Sequence, residues 1–323
     1  MSKSTTGHLT HAERLQGENR LKEINLDIVR VTEAAAIAAS AWVGSGDKLA
    51  ADRDATEAMR DRLNRLNFRG VVRIGEGKKD KSHGLFKDDV VSSSQPDAYE
   101  YDLAVDPIDG TTPTVTSGPE AMSVLAVAHR GTMFDTDDYY MLKLAVGPEV
   151  AAAGIELSLE RPLEDTLRSI AQVLDKPVAK LTVCMLNRPR HEAYIRDIRR
   201  LGTRLKLIQD CDISGAIACC LPEREIDLLY GVGGAPEAVL TAAALKCFGG
   251  RLLGQVWREG VLHGPVLNEE EMVRGDCAFA ATGITNGSLL SGVRWTPRGP
   301  TTSSMFCRSV SRTVRWIKTW HGN

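Results

Sequence analysis

The chain has 323 residues, 43% of them hydrophobic and 25% charged, with a formal net charge of −2. That length suits one large domain or two packed lobes, and the composition is that of an ordinary globular protein. A near-neutral balance gives no electrostatic footprint for nucleic acid. Apolar stretches are short and interrupted, and the polar first twenty residues hold no apolar core of a signal peptide. A cytoplasmic protein without nucleic-acid or membrane partners is therefore expected. Cys184, Cys211, Cys219, Cys220, Cys247, Cys277 and Cys307 are odd in number and form no C-x-x-C. They read as buried, reduced thiols rather than zinc ligands.

Residues 1 to 20 read as a flexible polar tail. An amphipathic helix is predicted over residues 21 to 43, with Ile24, Ile28, Val31 and Ala35 on one face, ending at Gly44-Ser45-Gly46. A second helix is predicted over residues 54 to 66 and a strand over 71 to 74, broken by Gly75-Glu76-Gly77. The charged, Ser-rich stretch from 78 to 98 reads as a loop or flap. Strands are predicted over 101 to 105, 122 to 128 and 140 to 146. The pattern then alternates. Strands over 181 to 185, 204 to 208 and 226 to 230 each precede a helix, over 191 to 201, 213 to 220 and 236 to 247. Three βα units in a row predict an α/β fold with functional loops at strand ends. The expected organisation is an N-terminal α+β lobe over 21–150 and a C-terminal α/β lobe over 151–323, packed as one unit.

The strongest chemical feature is Asp106-Pro107-Ile108-Asp109-Gly110-Thr111, directly after an apolar strand. Pro107 fixes one φ and Gly110 permits a tight bend, so two carboxylates converge on a small volume. Like charges that close repel unless a cation neutralises them or one takes a proton. Oxygen-only ligands favour Mg²⁺ or Mn²⁺ over zinc. Thr111 opens the next element and offers its hydroxyl and N–H to a phosphate oxygen or an attacking water. The competing reading is an Asp-capped turn with a solvated second Asp.

The other candidates are weaker singly. Glu76 lies between two glycines after a strand, as a metal ligand or as a solvated turn residue. Asp52 by itself reads as a helix cap or first-turn acid. Gly231-Val232-Gly233-Gly234-Ala235-Pro236-Glu237 reads as a strand-to-helix turn able to cradle phosphate, without the spacing of a dinucleotide site. Glu237 there either reaches a ligand or only compensates the helix dipole. Arg188-Pro189-Arg190 sets two guanidinium groups at a strand end, for bidentate phosphate binding or as a solvated basic turn. Asp210 and Asp212 end the next strand, placed to accept from sugar hydroxyls or to cap a helix. H-E-x-x-H, G-x-S-x-G and Walker A patterns do not occur.

Taken in order, these motifs resemble the class II fructose-1,6-bisphosphatase family. The resemblance runs from residue 21 to 321. It is carried by Ala51-Asp52, Ile74-Gly75-Glu76-Gly77, Ala104-Val105-Asp106-Pro107-Ile108-Asp109-Gly110-Thr111 and Arg188-Pro189-Arg190-His191. Residues 231 to 240 and Ala280-Ala281-Thr282-Gly283-Ile284-Thr285 extend it. It implies the layered α/β/α/β/α sandwich of the lithium-sensitive phosphatases. It also implies metal-dependent hydrolysis of the 1-phosphate of fructose 1,6-bisphosphate, sedoheptulose 1,7-bisphosphate as a further substrate, and a homo-oligomer, dimer or tetramer. By the same resemblance Asp52, Glu76, Asp106, Asp109 and Glu237 would bind Mn²⁺ or Mg²⁺, and Asp80 and Thr111 would activate the attacking water. Asp109, Gly110, Thr111, Tyr140, Arg188, Pro189, Arg190, Asp210, Asp212 and Gly234 would line the sugar-phosphate site.

The chain also departs from the family's pattern. Lys78-Lys79-Asp80-Lys81-Ser82-His83 stands where the family usually has acidic residues and an Ala-Pro-Met run. Arg53 replaces a usual Gly, and Asp109 a usual Glu, as in the related inositol monophosphatase branch. The stretch from 258 to 270 is shorter than usual. Two alternatives stay open on these grounds: a phosphatase for another small ester such as inositol phosphate, and a sugar-phosphate-binding homologue with weak or no turnover.

Overall fold

The computed structural model describes residues 26–75, 84–92, 98–136, 139–223 and 225–322. Helix α1 (Asp27–Ser40) buries Ile28, Val31, Ala35 and Ala39, the three-four spacing of one helical face. Helix α2 (Lys48–Leu63) starts earlier than predicted, because the Asp47 carboxylate accepts the Ala50 N–H and caps it. Asp52 therefore lies inside the helix and is not its cap. Ala51, Ala55, Met59 and Leu63 form its buried stripe.

Among the described residues there are two mixed sheets. The first contains β1 (Arg69–Ile74), β2 (Val90–Ser92), β3 (Glu100–Asp109), β4 (Met122–His129), β11 (Cys277–Gly283), β12 (Arg294–Thr296), β13 (Gly299–Arg308) and β14 (Thr313–Trp320). Its order is β12-β13-β11-β4-β3-β1-β2, with β14 also paired to β13. The second contains β5 (Tyr140–Val146), β6 (Thr182–Leu186), β7 (Arg204–Ile208), β8 (Leu228–Gly234), β9 (Arg251–Arg258) and β10 (Val261–Asn268), ordered β10-β9-β5-β8-β6-β7. Short helices α3 (Thr111–Val115) and α4 (Pro148–Ala152), then α5 (Leu163–Val173), α6 (Glu192–Arg200), α7 (Asp212–Ala218), α8 (Ala235–Phe248) and α9 (Glu269–Met272) complete the fold.

Three apolar cores fix the layering. The first joins α1 and α2 to one face of the first sheet through Ile28, Met59, Leu103 and Phe306. The second joins the other face to α7 and α8 and to the inner face of the second sheet, through Val124, Ile213, Leu240 and Met141. The third packs α5 and α6 on the outer face of the second sheet, through Leu144, Leu167 and Ile198. The result is the α/β/α/β/α sandwich, with each sheet covered on both faces.

Several expectations are corrected. The loop predicted over 78–98 contains β2, which pairs antiparallel with β1 from Arg69↔Ser92 to Val71↔Val90. Strand β3 continues through Asp109 instead of turning after Val105, since β4 keeps pairing with it to Asp109↔Met122. The glycine-rich run Gly231–Gly234 is strand and not turn, because β5 pairs with it residue by residue up to Tyr140↔Gly234. Tertiary pairing overrides the weak strand propensity of glycine there. Both sheets draw strands from the first and the second half of the chain. Strand β5 belongs to the second sheet, while β11 returns to the first and pairs with β4 from Cys277↔Ala128 to Gly283↔Met122. None of the described helices is long and apolar enough to cross a membrane. All seven cysteines are buried and none forms a disulfide.

Candidate active site

A cavity of about 410 Å³ opens where the carboxyl ends of β3, β6, β7 and β8 meet, beside the start of β5 and helix α2. Strand ends of this kind are where α/β sheets hold their functional loops. The cavity's lining combines an acidic set, Asp52, Asp106, Asp109 and Glu237 with Gly110 and Thr111, and a second set with both arginines, Tyr140, Arg188, Arg190, Asp210, Asp212 and Gly234.

The acidic set depends on an irregularity in β3. Side chains three apart on a regular strand point to opposite faces. Here the register slips between Asp106↔Val124 and Asp109↔Met122, so three steps on β3 face two on β4. That bulge restores the parity and turns both carboxylates into one cavity. Pro107, which has no N–H to lose from the ladder, lies inside it. Asp106 Oδ1 accepts the Ile108 N–H at 3.0 Å and ties the bulge to its own side chain.

Gly110 follows at φ 102°. A Cβ there would lie 2.4 Å from Cys211 Sγ and 2.9 Å from Pro113 Cγ, so only glycine fits. Thr111 then opens α3, and its hydroxyl donates to Asp52 Oδ1 at 3.0 Å. Arg53, the departure beside Asp52, is exposed and bonds Asp54, away from the cavity. Glu237 enters from the first turn of α8, where Pro236 begins the helix. A Cβ on Gly234 would lie 1.9 Å from Glu237 Oε2, so the carboxylate packs where a side chain would stand.

The second set is held by fixed partners. Arg188 pairs with Asp210. Arg190 donates Nε and Nη2 to the Val232 carbonyl at 3.1 and 2.8 Å, and its guanidinium carbon lies 4.7 Å from the Tyr140 ring centroid. Asp212, the first residue of α7, accepts from Lys143 Nζ at 2.7 Å, and both side chains are buried. Cys211 stands between the two acids with φ 67°, a left-handed position unusual for a side chain of its size, and donates its thiol to the Asp109 carbonyl at 3.3 Å.

The electrostatics concentrate on Asp109. Its carboxyl is pushed well above the usual carboxylate range, by burial first and then by Asp106, Asp212 and Glu237, with Lys143 opposing. Its Oδ2 is buried with no hydrogen-bond partner among the described residues.

The structure thus brings together Asp52, Asp106, Asp109, Gly110, Thr111, Tyr140, Arg188, Arg190, Asp210, Asp212, Gly234 and Glu237 around one space. Pro189 is exposed and does not line it. Its backbone starts the 3₁₀ turn between the two arginines instead. Glu76 and Asp80 lie outside the described residues. Lys143, Cys211 and His191 were not foreseen in any role here. A lone lysine in the apolar strand Tyr140–Val146 was the available signal for Lys143. His191 follows Arg190 directly in the sequence.

Residues 22–321 match the family described as bacterial fructose-1,6-bisphosphatase, glpX-encoded. The chain is 39% identical over 325 residues to fructose-1,6-bisphosphatase 1 class 2 of Escherichia coli strain K12, covering 93% of this chain and 95% of that protein. It matches fructose-1,6-bisphosphatase class 2 of Shigella flexneri at the same identity and coverage. Among solved structures, an extragenic suppressor from Pyrococcus furiosus aligns over 63% of this chain and 70% of its own at 16% identity. Its TM-score of 0.29 is too low to bear on the fold. The matches put the protein among the phosphoric monoester hydrolases, and the layered fold agrees with that class. Within it, the chain belongs to the family of class II, glpX-type bacterial fructose-1,6-bisphosphatases.

Proposed function

We propose that the protein hydrolyses the 1-phosphate of fructose 1,6-bisphosphate, giving fructose 6-phosphate and inorganic phosphate, with sedoheptulose 1,7-bisphosphate as a second substrate. The observation that carries this reading is one cavity lined both by the carboxylates of Asp52, Asp106, Asp109 and Glu237 and by the guanidinium groups of Arg188 and Arg190, which suits a substrate with a phosphate at each end.

The carboxylate set has the chemistry of a hard-cation site. Its donors are oxygen atoms, and Asp109 has a buried oxygen without a hydrogen-bond partner among the described residues. The buried Lys143 opposes its charge. No three acidic, His or Cys side chains among the described residues close on one point by themselves. Asp52, Asp106, Asp109 and Glu237 would hold Mn²⁺ or Mg²⁺ together with Glu76. A divalent cation supplies charge neutralisation at the phosphoryl oxygens and a more acidic water.

The chain's own residues do the rest. The Thr111 hydroxyl donates its hydrogen bond to Asp52, which leaves its lone pairs to accept a hydrogen bond from the attacking water and orient it. Asp80 is proposed as its partner in that step. Arg188 and Arg190, held by Asp210 and by the Val232 carbonyl, bind the non-reacting phosphate and so place the reacting one at the carboxylates. Tyr140 shields the Arg190 guanidinium, Asp210 and Asp212 accept from sugar hydroxyls, and Gly110 and Gly234 give the ligand close access to backbone.

The buried, reduced cysteines support a cytoplasmic location. Trp295, Trp316 and Trp320, exposed on the β12–β14 unit, support a homo-oligomer, which light scattering would weigh. The deciding assay is phosphate release from fructose 1,6-bisphosphate, sedoheptulose 1,7-bisphosphate and an inositol phosphate with Mn²⁺ or Mg²⁺, beside Asp106→Asn. Turnover of the fructose ester, lost in the variant and on chelation, is expected. No turnover of either sugar bisphosphate with any metal, or a preference for inositol phosphate, would overturn the reading.

A further inference from the structure

The pairing of β6 with β8 stops early. Parallel rungs join Val183 to Leu228 and Cys184 to Leu229. Strand β8 nevertheless runs on along β5 to Gly234. Past Leu229 its β6 side needs other partners for its backbone groups, and at Val232 both come from the turn after β6. His191 Nε2 accepts the Val232 N–H at 2.7 Å, and the neighbouring Arg190 donates to the Val232 carbonyl.

The ring's state follows from this geometry. A nitrogen that accepts carries no proton, so the ring N–H is on Nδ1, where it donates to the Leu186 carbonyl at 2.6 Å. His191 is fully buried and spans from the end of β6 to β8. Space for it exists because residue 231 is glycine: a Cβ there would lie 3.1 Å from the ring's Cε1. The imidazole and the guanidinium thus grip the two backbone groups of one residue from consecutive positions in the chain.

We propose that His191 is a positioning residue for Arg190, fixing Val232 so that its carbonyl sets the guanidinium for the substrate's non-reacting phosphate. This rests on the assignment of that phosphate to Arg188 and Arg190. An imidazole that only stapled the fold would affect all substrates alike. A positioning role affects the preference for a substrate with the second phosphate.

The test compares fructose 1,6-bisphosphate with fructose 1-phosphate in the wild type, Arg190→Ala, His191→Asn, His191→Gln and the double variant His191→Asn/Arg190→Ala, with the metal-loaded full chain. His191→Asn keeps a donor for Leu186 but leaves the Val232 N–H without its acceptor. His191→Gln extends an amide oxygen towards that N–H. We expect His191→Asn to raise KM for the bisphosphate on the order of tenfold. Its bisphosphate preference should fall towards that of Arg190→Ala, His191→Gln should recover most of it, and the double variant should be no worse than Arg190→Ala. If His191→Asn keeps the preference that Arg190→Ala loses, or lowers kcat alike on both substrates, the inference is overturned. If the wild type shows no preference, or Arg190→Ala retains it, the failure lies instead in the assignment of the second phosphate to the arginines. Melting temperatures of each variant identify any that do not fold, and His191→Gln then carries the comparison.

Discussion

Lys143→Met tests the electrostatic foundation of the cavity. Lys143 lies on the inner face of β5 between Met141 and Ala145, and its ammonium is 2.7 Å from Asp212 Oδ2. Side-chain exposures of 1% and 7% leave no solvent to screen either charge. Methionine keeps the length and apolar character of the stem, so the packing loss is small. What remains is a buried carboxylate without its ion-pair partner. Breaking such a pair costs about 3–5 kcal/mol, of which most is the stranded charge and not the lost contact. In a protein of this length that lowers the melting temperature by about 4–7 °C. Urea unfolding of the metal-free protein at pH 7, read by tryptophan fluorescence, measures it. The decisive arm is Lys143→Met/Asp212→Asn: removing the stranded charge should return part of the stability. A Lys143→Met cost below about 1 kcal/mol, or an Asp212→Asn change that deepens it, would refute the reasoning. Because Lys143 opposes the upward push on Asp109, its loss should raise that carboxyl further.

Three further outcomes are expected. Asp109→Asn should abolish turnover yet make the metal-free protein more stable at pH 7. The native carboxyl sits above its unfolded value of about 3.9, so the ionised form costs stability increasingly as pH rises past that point. Thermal unfolding from pH 4 to 8 checks it, and an Asn variant less stable than the wild type at pH 8 would contradict it. Gly110→Ala should cost more than about 1 kcal/mol, from the positive φ and from contact with Cys211 Sγ. Adding Cys211→Ala should recover only the contact part. Burial holds His191 below its usual range, with the charged Arg190 and Arg188 adding to the effect, so it is neutral at pH 7. Its stabilisation is present above about 6.5 and is lost as pH falls through the lower native value, when Nε2 gains a proton and releases Val232. Between pH 7 and 4.5 the urea midpoint should fall more steeply in the wild type than in His191→Gln.

What could be read from the sequence was what depends on local pattern. Strands over 140 to 146 and 204 to 208 are found to the residue, since apolar runs end there at glycine or polar punctuation. The βα alternation after residue 180 correctly placed Arg188, Arg190, Asp210 and Asp212 at strand ends. What escaped depends on partners remote in the chain. The glycines of β8 have no strand propensity of their own and are extended by β5. The bulge in β3 exists only relative to β4, so the spacing of Asp106 and Asp109 suggested a turn. Strands β9 to β14 were not among the predicted elements. Of these, β14 alternates around exposed tryptophans and basic residues rather than a clean apolar face. Lys143 and His191 were invisible as site residues because both act through groups distant in sequence, Asp212 and Val232.

The distribution of charge gives the cavity a direction. Each of these cations has a fixed partner: Lys143 holds Asp212, Arg188 holds Asp210, and Arg190 is anchored to a carbonyl. An arginine bound to a neutral carbonyl keeps its full positive charge for a ligand, whereas Lys143 has its charge cancelled by Asp212. Negative charge is left uncompensated at Asp109, where burial already disfavours it. If the carboxylates merely capped a turn, neutral hydrogen bonds would be the cheaper solution, and the Thr111–Asp52 contact shows that the chain can supply them. Keeping Asp109 buried, with an oxygen lacking any hydrogen-bond partner among the described residues, costs stability and is intelligible where a cation arrives from outside. On the proposed reading a sugar bisphosphate would have one orientation that satisfies both ends, with its distal phosphate on the arginines and the scissile one towards the carboxylates. The gain predicted for metal-free Asp109→Asn and the loss predicted for His191→Asn probe those two ends separately.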